Sequence, residues 1–92
     1  MKYRSRTDII AMILQAAING ATKTRIMYGA YLSYAQVKEY LSFLIEKDLI
    51  RREEGTGVYK LTQKGVQLLR VYEDISDMIT ITDQKNSTSP LA

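Results

Sequence analysis

Apolar residues recur at helical spacing in three stretches of the chain, and each stretch predicts an element. Ile10, Ile13, Leu14 and Ala17 fall at i, i+3, i+4 and i+7, the single stripe of an amphipathic helix. The pattern returns at Val37, Leu41, Leu44 and Ile45, with Ala35, Gln36, Glu39, Ser42 and Glu46 broadly on the other side. Leu49 to Glu53 and Val58 to Leu61 are short segments of strand propensity around Glu54, Gly55, Thr56 and Gly57, which predicts a hairpin. Last, Leu68, Tyr72, Ile75, Ile79 and Thr82 step by 4, 3, 4 and 3, the spacing of a coiled-coil seam barely two heptads long.

Capping residues set the boundaries. Ser33 can accept from the N3 amide while Gln36 reaches back, and Leu32 and Val37 flank this box as a hydrophobic staple. A helix therefore starts at Ser33 and runs to about Asp48. Ser5 or Thr7 caps the first helix, Asp8 sits in its first turn, and Asn19 with Gly20 supplies a left-handed stop, for a span of about Thr7 to Asn19. Thr22 caps a short helix carrying Lys23, Arg25, Ile26 and Met27, which Gly29 breaks. Thr62 opens the last helix, with Leu61 and Val66 placed for a second staple. The fold class expected is mainly α with a small β-hairpin. Residues 1–61 form a winged helix-turn-helix, residues 62–82 a C-terminal dimerisation helix, and residues 83–92, polar and without periodicity, a disordered tail.

A chain of 92 residues, 46% apolar, holds one small domain with a marginal core. It has no Cys and no His, which removes disulfides and the usual zinc ligands and leaves association as the route to extra stability. No stretch approaches the roughly 18 apolar residues of a membrane span, so a soluble, cytoplasmic protein is expected. Charge is uneven. Residues 1–70 hold 12 Lys and Arg against 6 Asp and Glu (+6), residues 71–92 hold 1 against 4 (−3), and the two sum to the chain's +3. A basic body with an acidic end suggests two different partners.

Catalysis is not expected: there is no nucleophile and base pair, no metal cluster, and Gly55 and Gly57 lack the Lys and Ser or Thr of a phosphate loop. No cofactor is expected either. The basic residues form three groups: Lys2, Arg4 and Arg6 before the first helix, Lys23 and Arg25 on the second, and Arg51, Arg52 and Lys60 on the wing strands. In a winged helix the second helix and the wing approach phosphates on either side of the recognition helix, which points to double-stranded DNA as partner. The N-terminal group has the weaker case, because a basic tail also serves solubility.

On the recognition helix Tyr34, Gln36, Lys38, Glu39 and Ser42 are the groups that can reach a major groove. Gln36 can pair with adenine or stay in its capping box, and Glu39 can accept from cytosine. No Arg is there to read guanine, which favours a weak or shape-based sequence preference. Of the seven tyrosines, Tyr40 and Tyr59 fit the core, Tyr72 fits the C-terminal seam, and Tyr31 and Tyr34 are candidate phosphate donors. A second reading is a winged helix that docks proteins. Its support is Glu39, Glu46, Glu53 and Glu54, which place acid near the supposed DNA face.

The segment KTRIMYGAYLSY, Lys23 to Tyr34, is followed by a helix, a basic hairpin, and Leu61, Thr62, Lys64 and Gly65. In this it resembles the archaeal winged-helix DNA-binding regulators related to the small chromatin-associated proteins of the Sulfolobales, over roughly Ile9 to Leu69. The resemblance implies DNA binding without a cofactor, a recognition helix at Ser33 to Lys47, a wing at Arg51 to Lys60, and a last helix from Thr62 that pairs antiparallel with a second subunit. Leu68, Tyr72, Ile75 and Ile79 would form that seam. Two departures stand out: a last helix expected to be shorter than the family's, and the acidic Glu73, Asp74 and Asp77 along it.

Overall fold

All four helices begin at a hydroxyl. In the computed structural model, which describes residues 4–88 and side chains as far as Ile79, Ser5 Oγ accepts from the Asp8 amide (3.0 Å) and Thr22 Oγ1 from that of Arg25 (3.2 Å). Ser33 Oγ accepts from the Gln36 amide (3.2 Å) and Thr62 Oγ1 from that of Gly65 (3.0 Å). At Ser5 and Ser33 the N3 side chain returns the bond, Asp8 at 3.1 Å and Gln36 at 2.9 Å, completing two capping boxes. Each cap contributes about 1 kcal/mol.

These caps open α1 (Arg6–Ala16), α2 (Lys23–Gly29), α3 (Tyr34–Glu46) and α4 (Gln63–Thr88). Between them run β1 (Ala21–Thr22), β2 (Ile50–Glu53) and β3 (Val58–Leu61), an antiparallel sheet in the order β1-β3-β2. Ala21 pairs with Tyr59, and Ile50 with Leu61 across the hairpin. This is a winged helix-turn-helix with a C-terminal helix. Ile13, Ile26, Val37, Leu44 and Ile50 are sealed in the main core. A smaller cluster of Ala11, Leu14 and Leu69, flanked by Ile10, Leu61 and Tyr72, ties α4 to α1.

Two helices end alike. After α2 the Leu32 amide donates to Met27 O (2.9 Å) and that of Tyr31 to Tyr28 O (3.2 Å); after α3 the Leu49 amide donates to Leu44 O (2.9 Å) and that of Asp48 to Ile45 O (3.0 Å). Both are Schellman closures, which need a left-handed residue. Here the position is taken by Tyr31 (φ 54°) and Asp48 (φ 61°), not by glycine. α2 thus ends at Gly29 as expected, but the left-handed residue that closes it is Tyr31. Gly29 is the helix's last residue, and a Cβ on it would meet Ala16 Cβ at 3.3 Å, so its role lies in the close approach of α1 to α2.

Other boundaries shift. α1 stops at Ala16, three residues before Asn19, because the chain must turn at Gly20 (φ 88°) to lay Ala21 beside Tyr59. The β1 strand was not foreseen, since two residues carry no periodicity. Ile45, expected inside, is exposed, and so is Val66 of the expected second staple. The residues past the seam also depart from expectation: α4 continues to Thr88 instead of ending near Thr82, so residues 83–88 are helical and not a disordered tail. No proline interrupts them. The rest of the expected tail, 89–92, lies outside the described residues. Among the described residues no helix is long and apolar enough to cross a membrane.

Candidate nucleic-acid interface

The turn between α2 and α3 places the N-terminal end of α3 beside the start of α2. Tyr34, the first residue of α3, stands 60% exposed, with Lys23 Nζ 5.1 Å and Lys38 Nζ 5.8 Å from its ring centre. Two ammonium groups from different helices thus meet at one phenol. Arg25 is exposed on α2. From Ile9 to Lys38 the chain carries no Asp or Glu, so nothing in this stretch offsets those cations.

At 100° per residue Ala35, Ser42, Glu39 and Glu46 form the stripe of α3 opposite the buried Val37, Leu41 and Leu44. Tyr34 and Lys38 lie on one flank of it, Gln36 and Phe43 on the other. The expected groove-facing set is therefore divided. Ser42 and Glu39 point outward, Lys38 and Tyr34 sit at the edge, and the Gln36 carbonyl is committed to the Ser33 amide, which leaves Gln36 only its amide hydrogens and rules out a bidentate pair with adenine in this rotamer.

The wing divides as well. Strand alternation puts Arg52 on the face of Ile50 and Tyr59, which packs toward α3, whereas Arg51 and Lys60 share the opposite face. Lys60 Nζ is held by Glu53 at 3.3 Å and is partly neutralised, whereas Arg52 is exposed on the strand face that also carries Ile50 and Tyr59. The N-terminal basic group has a structural task. Arg4 donates to the carbonyls of Ala30 and, at 2.9 Å, Tyr31, securing the C-terminal end of α2, and Arg6 lies over Phe43 (4.6 Å) and Tyr40 (5.7 Å) of α3. Lys2 lies outside the described residues. Sequence reasoning missed these two clamps, because side chains that fold back over a helix end leave no periodic signal. It also passed over Tyr28, 70% exposed on α2.

Of the expected dimer seam, Tyr72 turns inward: its hydroxyl donates to Asp8 Oδ1 at 2.8 Å, and the ring packs by Ala11 and Leu14. Leu68, Val71, Ile75, Met78 and Ile79 form the exposed apolar stripe instead, from 40% at Leu68 to 69% at Met78. An apolar groove lined by Ile10, Ala11, Leu14, Leu68 and Leu69 runs along the base of α4. Among the described residues no group of three or more acidic side chains is placed to hold a metal ion.

Comparison with known proteins fits this geometry. A family model described as a winged helix-turn-helix matches residues 3–80. An uncharacterised protein of Methanocaldococcus jannaschii is 38% identical over 77 residues, 83% of this chain but 36% of that protein, so the chain spans about a third of that relative's length. A second uncharacterised protein from the same organism is 31% identical over 89% of this chain and 80% of its own. Among solved structures, Sso10a-2, a DNA-binding protein from Sulfolobus solfataricus, superposes with a TM-score of 0.74 at 25% identity, covering 97% of both chains. ZitR of Lactococcus lactis, a zinc-responsive MarR family member, gives a TM-score of 0.71 at 26% identity over 97% of this chain and 64% of its own.

Proposed function

The chain belongs to the winged helix-turn-helix family, and on that footing we propose that it is a double-stranded DNA-binding protein, a transcription regulator or chromatin-associated protein, acting as a homodimer. α3 enters the major groove, with Lys23, Arg25, Lys38 and Arg52 on phosphates and Tyr34 donating its phenol to the same backbone. The observation that carries this reading is the meeting of Lys23 and Lys38 at Tyr34 within a stretch free of acid. The match to a Sulfolobus DNA-binding protein over nearly the whole of both chains supports it. Ser42 and Ala35 are small and Glu39 can accept only from the amino groups of cytosine or adenine, so sequence preference is expected to be modest.

The dimer half of the proposal rests on Leu68, Val71, Ile75 and Ile79, an apolar stripe in water. Antiparallel pairing centred near Ile75 sets Arg70 of one chain toward Glu73, Asp74 and Asp77 of the other, whereas parallel pairing stacks like charges. A second reading, a docking module for a protein partner, is favoured by Glu39 and Glu46 on the outermost stripe of α3.

Fluorescence anisotropy against duplex DNA at several salt concentrations tests the proposal. With roughly 6 to 8 phosphate contacts per dimer, log affinity falls against log salt with a slope of about −5 to −7. Arg52→Ala flattens the slope by about one unit per lost contact, and Arg51→Ala by less. Absence of binding at about 50 mM salt overturns the DNA reading in favour of the protein partner.

A further inference from the structure

The corner between α2 and α3 carries an aromatic feature that contact with duplex phosphates does not require. Tyr28 is 70% exposed and Tyr31 76%, and neither phenol has a hydrogen-bond partner among the described residues. They flank one turn, closed by the Tyr31 amide on Tyr28 O, and Tyr34 with its two lysines follows three residues on. Tyr31 is the more telling residue. It holds the left-handed C′ position of a Schellman closure, where glycine or asparagine is the economical choice and a bulky side chain is an outlier.

Packing does not account for that choice, since the ring lies in water. Hydrogen bonding to phosphate does not account for it either, because asparagine tolerates the same backbone and brings a donor of its own. What tyrosine alone adds there is a flat apolar face. Lys23, Arg25 and Lys38 lie in a stretch without acid that ends at Glu39, a setting that suits a polyanion better than an acidic or neutral protein surface. A polyanion that offers flat apolar faces is a nucleic acid with unpaired bases, because in a duplex those faces are stacked and closed.

From this geometry we infer that the Tyr28, Tyr31 and Tyr34 corner is a stacking platform for single-stranded DNA, a binding activity distinct from docking on duplex. The bases rest on the bare rings of Tyr28 and Tyr31, while Lys23 and Lys38 take the phosphates beside Tyr34.

Anisotropy titrations of the full chain with a labelled oligo(dT), an abasic strand of the same length, and a duplex, all at about 50 mM salt, provide the test. Wild type binds oligo(dT) about tenfold or more tighter than the abasic strand. Tyr31→Gly weakens oligo(dT) binding about tenfold while leaving the abasic strand and the duplex unchanged, and it folds at least as stably because glycine is at ease at positive φ. Tyr31→Phe retains the affinity. Equal affinity for the abasic strand and oligo(dT) overturns the inference, as does a Tyr31→Gly variant that binds oligo(dT) like wild type. A Tyr31→Phe variant as weak as Tyr31→Gly overturns it too, making the phenol a phosphate donor. Loss of duplex binding alone, with oligo(dT) binding intact, counts against the major-groove proposal and leaves this one standing.

Discussion

Helices α3 and α4 carry the same kind of apolar stripe, and the structure treats the two stripes in opposite ways. Val37, Leu41 and Leu44 of α3 disappear beneath α1, α2 and the sheet. Among the described residues of α4 only Leu69 buries an apolar side chain, and Val71, Ile75 and Ile79 remain more than half exposed. Burial is thus decided by what lies opposite a stripe. α3 sits over a closed layer of its own chain, whereas α4 keeps contact with α1 for about three turns, as far as Tyr72 and Glu73, and its Val71, Ile75 and Ile79 stay uncovered by the described residues. One stripe therefore belongs to folding, and the other is left for the association proposed above.

The largest expected effect breaks the first half of this contrast. Leu44→Ala removes a fully buried side chain from between α3 and β2, and it should cost about 2–5 kcal/mol of unfolding free energy, enough to leave a small domain largely unfolded. Urea denaturation followed by circular dichroism measures it. A cost below about 1 kcal/mol would mean that the α3 stripe does not anchor the domain.

Ile75→Asp probes the other half and should separate assembly from folding. Ile75 is exposed within the chain, so the variant keeps the monomer's fold. At an antiparallel dyad the substitution occurs twice in one place and opposes pairing; each lost aliphatic contact is worth on the order of 1.5–3 kcal/mol. Sedimentation equilibrium should show monomers for the variant, and duplex affinity should fall through lost bivalency. A wild-type chain that stays monomeric at about 100 μM would sink the association claim.

The contrast also shows what a sequence can disclose. Ser33 with Gln36, Thr22 and Thr62 marked three helix starts to within a residue, because a cap is local chemistry between neighbours. The hairpin registered through its glycine-containing turn. Legibility ended where distance along the chain grew. β1 exists because Ala21 meets Tyr59, and Gly65 is glycine because a Cβ there would lie 2.0 Å from Leu49 O, where α4 starts against the end of α3. Neither fact has a local signature. The basic residues of the interface were legible as types, but not in their commitments: Arg4 and Arg6 are drawn into holding α2 and α3, and Lys60 is paired with Glu53. Tyr72 matched the seam's spacing yet turned inward, since a heptad names a stripe without saying which edge faces the chain's own α1.

That inward turn gives the smallest and most specific prediction, because it concerns a polar contact that accompanies Leu69 in fastening α4 to α1. The Asp8 carboxylate accepts from the Ser5 amide and from the Tyr72 hydroxyl, and these bonds, the amide first, hold its pKa below the ordinary value of 3.8. The same bond to Asp8 holds the Tyr72 phenol above its ordinary value of 10.0. Asp8 is depressed in the folded state, so its contribution is present above the unfolded carboxylate pKa of about 3.9 and fades as pH falls through the folded value. Tyr72 is raised, so its contribution is present below about pH 10 and fades as pH climbs through the folded value. Melting temperature against pH should therefore droop at both ends. Asp8→Asn should flatten the acid limb below about pH 4, and Tyr72→Phe should flatten the alkaline limb while weakening the acid one, because it removes one of the bonds to Asp8 and leaves the Ser5 box in place. If both variants track the wild-type profile in acid and alkali, the Asp8 to Tyr72 bond contributes nothing to fastening α4, and Leu69 with its apolar neighbours holds the helix alone.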